Sequence, residues 1–179
     1  MSKSIGKPTS TAIVRRTPDL AIRTMRFEDV AEVLRVVSRA VAADCREHYD
    51  AQQRAAVYEA YATALFVDAI GPFENIAAEL DGRIVAFAQL DPSSGRLRAL
   101  FVDADCQRRG VGRALLADVE ARALERGRAR LHGSMSLNAV PFYERAGFRA
   151  GGAAVPLLTT GAGLAVGVPI VHMEKRLRA

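Results

Sequence analysis

Residues 107–113 read Gln107-Arg108-Arg109-Gly110-Val111-Gly112-Arg113, between an apolar stretch at 97–102 (LRALFV) and an amphipathic stretch running from 111 to about 126. The first flank is rich in residues that suit a pleated, half-buried surface. The second carries Val111, Leu115 and Val119 four apart, with Leu116 and Ala123 widening the stripe, which is the pattern of a helix packed on a sheet. The glycines therefore fall where a strand turns into a helix. The first turn of such a helix offers unpaired N–H groups and the positive end of the helix dipole. Glycine lets an anion approach the main chain, and Arg108, Arg109 and Arg113 add mobile positive charge. The chemistry is that of a cradle for a phosphorylated cofactor. The same residues also fit a tight turn with solvated arginines.

Two familiar phosphate loops are excluded. The stretch lacks the third glycine of a dinucleotide fingerprint, and no Gly-Lys-Ser/Thr follows. A second block lies about thirty residues on, after a strand-like run at 129–135: Ser136-Leu137-Asn138-Ala139-Val140-Pro141-Phe142-Tyr143-Glu144-Arg145-Ala146-Gly147-Phe148. Asn138 is placed to cap a short helix and Gly147 to end it. Phe142 and Phe148 are expected to bury against the sheet, leaving Tyr143 one residue round from the core. Spacing alone is equally compatible with a packing tyrosine whose hydroxyl is at the surface.

Taken in order and at this separation, the two blocks resemble the GNAT superfamily of acyl-CoA-dependent N-acetyltransferases. The resemblance rests on the strand at 97–102, Gln-x-x-Gly-x-Gly at 107–112, the leucine pair Leu115 and Leu116, and Pro-Phe-Tyr-x-x-x-Gly-Phe at 141–148. It implies an α/β (α+β) fold, a mixed, mostly antiparallel central sheet of about seven strands with about four helices on its two faces. It also implies acetyl-CoA as co-substrate without a metal. The diphosphate would sit on Gln107, Arg108, Arg109, Gly110, Val111, Gly112 and Arg113. The pantetheine arm would lie along Leu100, Phe101 and Val102, with Asn138 beside the cofactor and a strand-end amide near Val102 on the thioester carbonyl. Tyr143 matches the tyrosine that protonates the departing sulfur. The acceptor would be a small-molecule or peptide amine, and a homodimer fits family habit only.

Two positions depart from the common pattern. Ser136 stands where many members have asparagine seven residues before the tyrosine, with the asparagine displaced to Asn138. No carboxylate occurs in 95–102, where some members keep a glutamate base. Glu79, Asp103 and His48 remain as alternatives, each better explained as surface charge, turn residue or solvated histidine, so no base is assigned. Acceptor contacts would come from Cys45, Arg46, Glu47, His48, Tyr49, Tyr58 and Tyr61. Tyrosines 58 and 61, at helical spacing, serve equally well as core.

With 179 residues, half of them hydrophobic and a quarter charged, the composition is that of an ordinary soluble domain. Residues 1–18 read as a flexible extension and 19–179 as a single domain. No apolar run reaches membrane-spanning length, and MSKSIGKPTSTAIVRR holds no secretory core segment, so a cytoplasmic location is the default. Two cysteines, Cys45 and Cys106, make neither a metal-ligand spacing nor a disulfide framework. The net charge of +5 is spread among arginines interleaved with acids, which argues against nucleic acid as the principal ligand.

The remaining elements read as a strand at 20–23, a helix from about 30 to 43 and a second helix at 51–70. A hairpin at 75–80 and 83–90 turns on Asp81-Gly82. After Phe148, apolar residues among glycines and alanines lead to a Gly161–Gly167 separator and a last strand at 168–177. Rival functions are a non-catalytic acyl-CoA-binding or regulatory domain, and a protein N-terminal or lysine acetyltransferase.

Overall fold

The computed structural model describes residues 20–68 and 71–178, the side chains of 64–68 aside; the segment 1–18 read as an extension lies outside them. The chain runs β1 (Leu20–Thr24), α1 (Val30–Asp44), α2 (Ala51–Asp68), β2 (Glu74–Leu80), β3 (Arg83–Asp91), β4 (Arg96–Val102) and α3 (Val111–Glu125). It continues through β5 (Arg130–Ser136), α4 (Val140–Arg145), β6 (Arg149–Ala154), β7 (Leu157–Thr159), β8 (Ala165–Gly167) and β9 (Ile170–Arg176). Seven strands form one sheet in the order β1-β2-β3-β4-β5-β9-β6, antiparallel throughout except for β4 beside β5. This is the expected mixed α/β architecture.

Each face of the sheet carries its own core. The α3 stripe read from the sequence, Val111, Leu115, Leu116, Val119 and Ala123, is buried in full and packs with Tyr143 and Phe148 on one face. On the other face α1 buries Val33, Val36, Val37 and Val41 against Ala77, Phe87 and Ala99. The β2–β3 hairpin turns on Asp81 (φ 50°) and Gly82 (φ 78°), the left-handed pair that a two-residue turn requires.

Two expectations need correction. Residues 161–167 are not a plain separator, because 165–167 form β8, which pairs with β7 in a small second sheet. Short, glycine-rich strands carry too little periodicity to be read from sequence. The expected end of the second helix, 69–70, lies outside the described residues. Asn138 caps nothing: it sits inside a 3-10 turn (Leu137–Ala139), and its Oδ1 instead accepts from the Cys45 thiol at 3.6 Å.

Candidate functional site

The cleft begins with two glycines that let β4 and β5 come unusually close. A Cβ on Gly133 would stand 2.5 Å from the Leu97 carbonyl oxygen, and one on Gly95 would stand 2.4 Å from that of Arg130. Only one residue pair, Arg96 with His132, joins the two strands, beside the His132 N–H to Gly95 O bond of 3.1 Å. Beyond this pinch the strands part. Parallel neighbours that separate leave main-chain groups without ladder partners.

A bulge sets the direction of the groups in that gap. Gln89 pairs with Ala99 and Leu90 with Leu97, so Arg98 is left out of the β3–β4 pairing. Downstream, Asp103 N–H donates to Val85 O at 2.8 Å. Peptide groups alternate direction along a strand, so the amides and carbonyls of Leu100 and Val102 face away from β3, toward the gap. Side chains alternate too: Leu100 and Val102 join the α3 core, Phe101 the α1 core.

The loop between β4 and α3 is held from α1 at two points. Asp103, 4 % exposed, pairs with Arg35 at 2.5 Å and Arg39 at 3.1 Å and accepts from the Asp105 N–H. Burial opposes ionisation of this carboxyl, but the Asp105 amide and both guanidiniums outweigh it and hold it below the usual range. Gln107 donates from Nε2 to the Asp44 carboxylate and, at 3.2 Å, to Val102 O. Its side chain is thus a tie between helix and strand and is turned away from any anion in the cradle. Burial in turn raises the Asp44 carboxyl, with the Gln107 bond opposing.

Gly110 caps α3 with φ +85°, and a Cβ there would meet nothing within 4 Å. Glycine is required for the backbone conformation. Gly112 differs from expectation: its Cβ would come 3.3 Å from Val102 Cγ2 and 3.6 Å from the Phe142 ring. It lets the helix approach the strand, while the open side belongs to Gly110. The first helical bond is Ala114 N–H to Gly110 O at 3.0 Å, so the amides of Val111, Gly112 and Arg113 have no intrahelical acceptor. Arg108, Arg109 and Arg113 are exposed and make no ion pair among the described residues. Arg108 also has positive φ (56°). The arrangement gathers unpaired main-chain donors with three cations around them, a chemistry suited to an anion.

Tyr143 corrects its expected placement. It is 4 % exposed and belongs to the core, while Phe142 is the half-buried ring against Gly112. The Tyr143 ring meets Phe142 and Phe148 edge-on at 5.0 and 5.2 Å, which fixes its plane. Its hydroxyl has no hydrogen-bond partner among the described residues, yet it is not a sealed, unsatisfied atom, because the residue lines a cavity of about 670 Å³. Burial, reinforced by nearby Tyr61, pushes its phenol above the usual tyrosine value.

That cavity passes through the gap. Leu97, Leu100, Met135 and Tyr143 line it on the α3 face; Tyr49, Tyr61, Ser134 and His172 line it on the α1 and α2 face. Tyr61 donates to the bulge carbonyl of Arg98 at 2.9 Å and meets Phe101 edge-on at 4.8 Å. Tyr49, 3 % exposed, donates to Pro169 O at 2.6 Å and accepts from Leu137 N–H at 2.9 Å. Gln53 to Gly167 O (2.8 Å) and Gly161 N–H to Glu59 (2.6 Å) fasten the β7–β8 hairpin to α2. The hairpin side, through Val155, Pro156 and Leu158, thus covers one side of the cavity, which stays open on another.

Of the acceptor-side residues proposed from sequence, Cys45, Tyr49 and Tyr61 line the cavity. Arg46, Glu47 and His48 are exposed outside it, and Tyr58 packs against the α1 core. Neither alternative carboxylate reaches it: Glu79 pairs with Arg23 at 3.0 Å and Asp103 is bound by the two arginines. Gly95, Gly133, Arg96, Ser134 and His172 were missed; the isolated Gly133 inside a strand pattern was the available signal.

A model of the acetyltransferase (GNAT) domain matches residues 45–177. No curated protein matches the chain. Among solved structures, a GCN5-related N-acetyltransferase from Rhodopseudomonas palustris is 25 % identical with a TM-score of 0.78, over 90 % of this chain and 97 % of that one. The PaiA N-acetyltransferase of Thermoplasma acidophilum, solved with coenzyme A, is 16 % identical with a TM-score of 0.68, over 88 % and 99 %. The ribosomal-protein-S18-alanine N-acetyltransferase of Escherichia coli is 20 % identical with a TM-score of 0.64, over 90 % and 96 %.

Proposed function

Because this chain belongs to the acetyltransferase (GNAT) family, we propose that it moves an acetyl group from acetyl-CoA to a primary amine by direct attack, with Tyr143 as general acid. The observation that carries this is the Tyr143 hydroxyl, without a hydrogen-bond partner among the described residues, inside a cavity that opens through the β4–β5 gap.

The residues fit the donor. The free amides at the α3 start and Arg108, Arg109 and Arg113 suit a diphosphate. The gap-facing amides and carbonyls of Leu100 and Val102 suit an extended amide-bearing arm added like a strand. The thioester supplies an already reactive carbonyl, so the protein needs to align, desolvate and handle protons. A gap-facing main-chain N–H is positioned to stabilise developing negative charge on the carbonyl oxygen. The Tyr143 phenol is protonated at neutral pH, as any phenol is, and burial raises it further; the departing thiolate, desolvated in the same cavity and so more basic than its free pKa of about 8 to 10, would take that proton. The amine must arrive neutral, and no carboxylate lines the cavity to take its proton among the described residues. Water leaving by the cavity mouth serves instead.

The cover on the hairpin side of the cavity supports a small acceptor over an open peptide groove, and the Tyr143 hydroxyl supports catalysis over simple acyl-CoA binding. The test is release of free thiol from acetyl-CoA across a panel of amines, comparing wild type with Tyr143→Phe. Turnover that falls in the variant while coenzyme A still binds is the expected result. Micromolar coenzyme A binding without turnover on any amine would establish a binding domain.

A further inference from the structure

The cavity on the α2 face is charged in one sense only. Arg96 and Arg98 line it, and no aspartate or glutamate does so among the described residues. Leu97 joins the α3 core and side chains alternate along β4, so its neighbours Arg96 and Arg98 lie toward α1 and α2, the acceptor side of the sheet. Arg98 is already engaged: its Nε donates to Gln89 at 2.8 Å and its guanidinium lies 4.0 Å over the Phe73 ring. Arg96 is exposed at the mouth and makes no ion pair or side-chain hydrogen bond among the described residues.

Sheet register adds polar groups beside it. Arg96 stands opposite His132 at the pinch, and the next inward residue of β5 on that face, Ser134, stands opposite His172 on β9. The Ser134 hydroxyl and His172 Nδ1 are 3.2 Å apart. One end of the cavity is thus basic and rich in donors. The lining drawn from α2 and the hairpin side is apolar, with Val57, Leu158 and Val168 in one cluster.

Resting on the acetyltransferase reading above, we propose that the acceptor is a small amino carboxylate with an apolar side chain, its carboxylate held at Arg96, Ser134 and His172. A polyamine would bring several positive charges to a cavity with two arginines and no acid, which is repulsive at close range. A carboxylate gains a charge-assisted partner in Arg96. An apolar side chain fills the apolar part and displaces water from it.

The experiment measures thiol release from acetyl-CoA with L-leucine, L-methionine and L-phenylalanine, with the amide of each, with spermidine, and with a tripeptide. The amino acids are expected to turn over, their amides at least tenfold less efficiently in kcat/KM. Arg96→Gln is expected to raise KM for the amino acids at least tenfold, with KM for the amides and coenzyme A affinity changed less than twofold. Spermidine, the tripeptide or the amides used as well as the free amino acids would overturn the acceptor class while leaving the acetyltransferase reading intact. So would an unchanged amino-acid KM in Arg96→Gln. Absence of thiol release with every amine would overturn both.

Discussion

The Tyr61 hydroxyl donates at 2.9 Å to the carbonyl of Arg98, the residue that β4 leaves out of its pairing with β3. The bulge re-phases the strand: Leu97 faces the α3 core, Ala99 faces the α1 core, and Leu100 returns to the α3 side only one residue later. Tyr61 secures that shift from α2 and at the same time forms one wall of the cavity. Tyr61→Phe keeps the ring contact with Phe101 and loses the hydrogen bond. Denaturant unfolding is expected to show a loss of about 1 kcal/mol, and acceptor KM to rise several-fold with coenzyme A affinity unchanged. Unaltered stability and kinetics would mean that the bulge holds itself.

Burial raises the Tyr143 phenol, so it remains protonated throughout the pH range in which an amine loses its proton. The efficiency of wild type should climb with pH and show no alkaline fall below about pH 9.5, since a phenol above its ordinary pKa of about 10 is still acid there. Tyr143→Phe should lower kcat by roughly 100-fold, the lower end of what a placed general acid contributes. An alkaline limb near pH 8 that vanishes in the variant would mean the tyrosine ionises early, against its burial.

Gly110 and Gly112 do different jobs, and substitutions separate them. Gly110→Ala forces a side chain into φ +85° with open space around it. It should cost about 1 to 2 kcal/mol of stability through the backbone alone and weaken coenzyme A binding by misaligning the amides of the first turn. Gly112→Val drives its branches toward Val102 and Phe142, so thermal unfolding should show a further loss from overpacking, of roughly 1 to 3 kcal/mol. Equal effects of the two on both readouts would erase the distinction.

Asp103 is ionised and paired with Arg35 and Arg39, its carboxyl held below the usual range. A depressed native pKa contributes stability that is present above the unfolded value, near 3.9, and is lost as pH falls through the native one. Asp103→Asn should therefore reduce stability at neutral pH by about 1.5 to 3 kcal/mol and flatten the decline as pH falls below the ordinary carboxylate value of about 4. Calorimetry at several pH values reads both. A variant whose stability falls as steeply with acid as wild type would assign that decline to other carboxylates.

The α3 stripe and the Asp81-Gly82 hairpin were legible because periods of 3.6 and 2 and a turn dipeptide are local signals. The strand-to-helix loop with its consecutive unpaired amides was legible for the same reason. Tyr143 was found by motif but misplaced by one helical step, since a six-residue helix (Val140–Arg145) offers too little periodicity to fix its buried face. Arg96, Ser134 and His172 come together only through sheet register, across 76 residues from first to last in sequence numbering (172 − 96), and no local pattern reports register. Gln107 was a cofactor candidate by its place in the motif, and Asp103 an alternative base better explained as a turn residue. Their partners on α1 lie more than sixty residues away, at |i−j| of 63 and 68, which sequence spacing does not reveal.

The most direct measurement is a crystal structure of the protein with acetyl-CoA bound. The diphosphate is expected on the amides of Val111, Gly112 and Arg113, the pantetheine arm against Leu100 and Val102, and the sulfur within hydrogen-bond reach of the Tyr143 hydroxyl. A nucleotide bound elsewhere, with the β4–β5 gap unoccupied and Tyr143 remote from the sulfur, would contradict this placement.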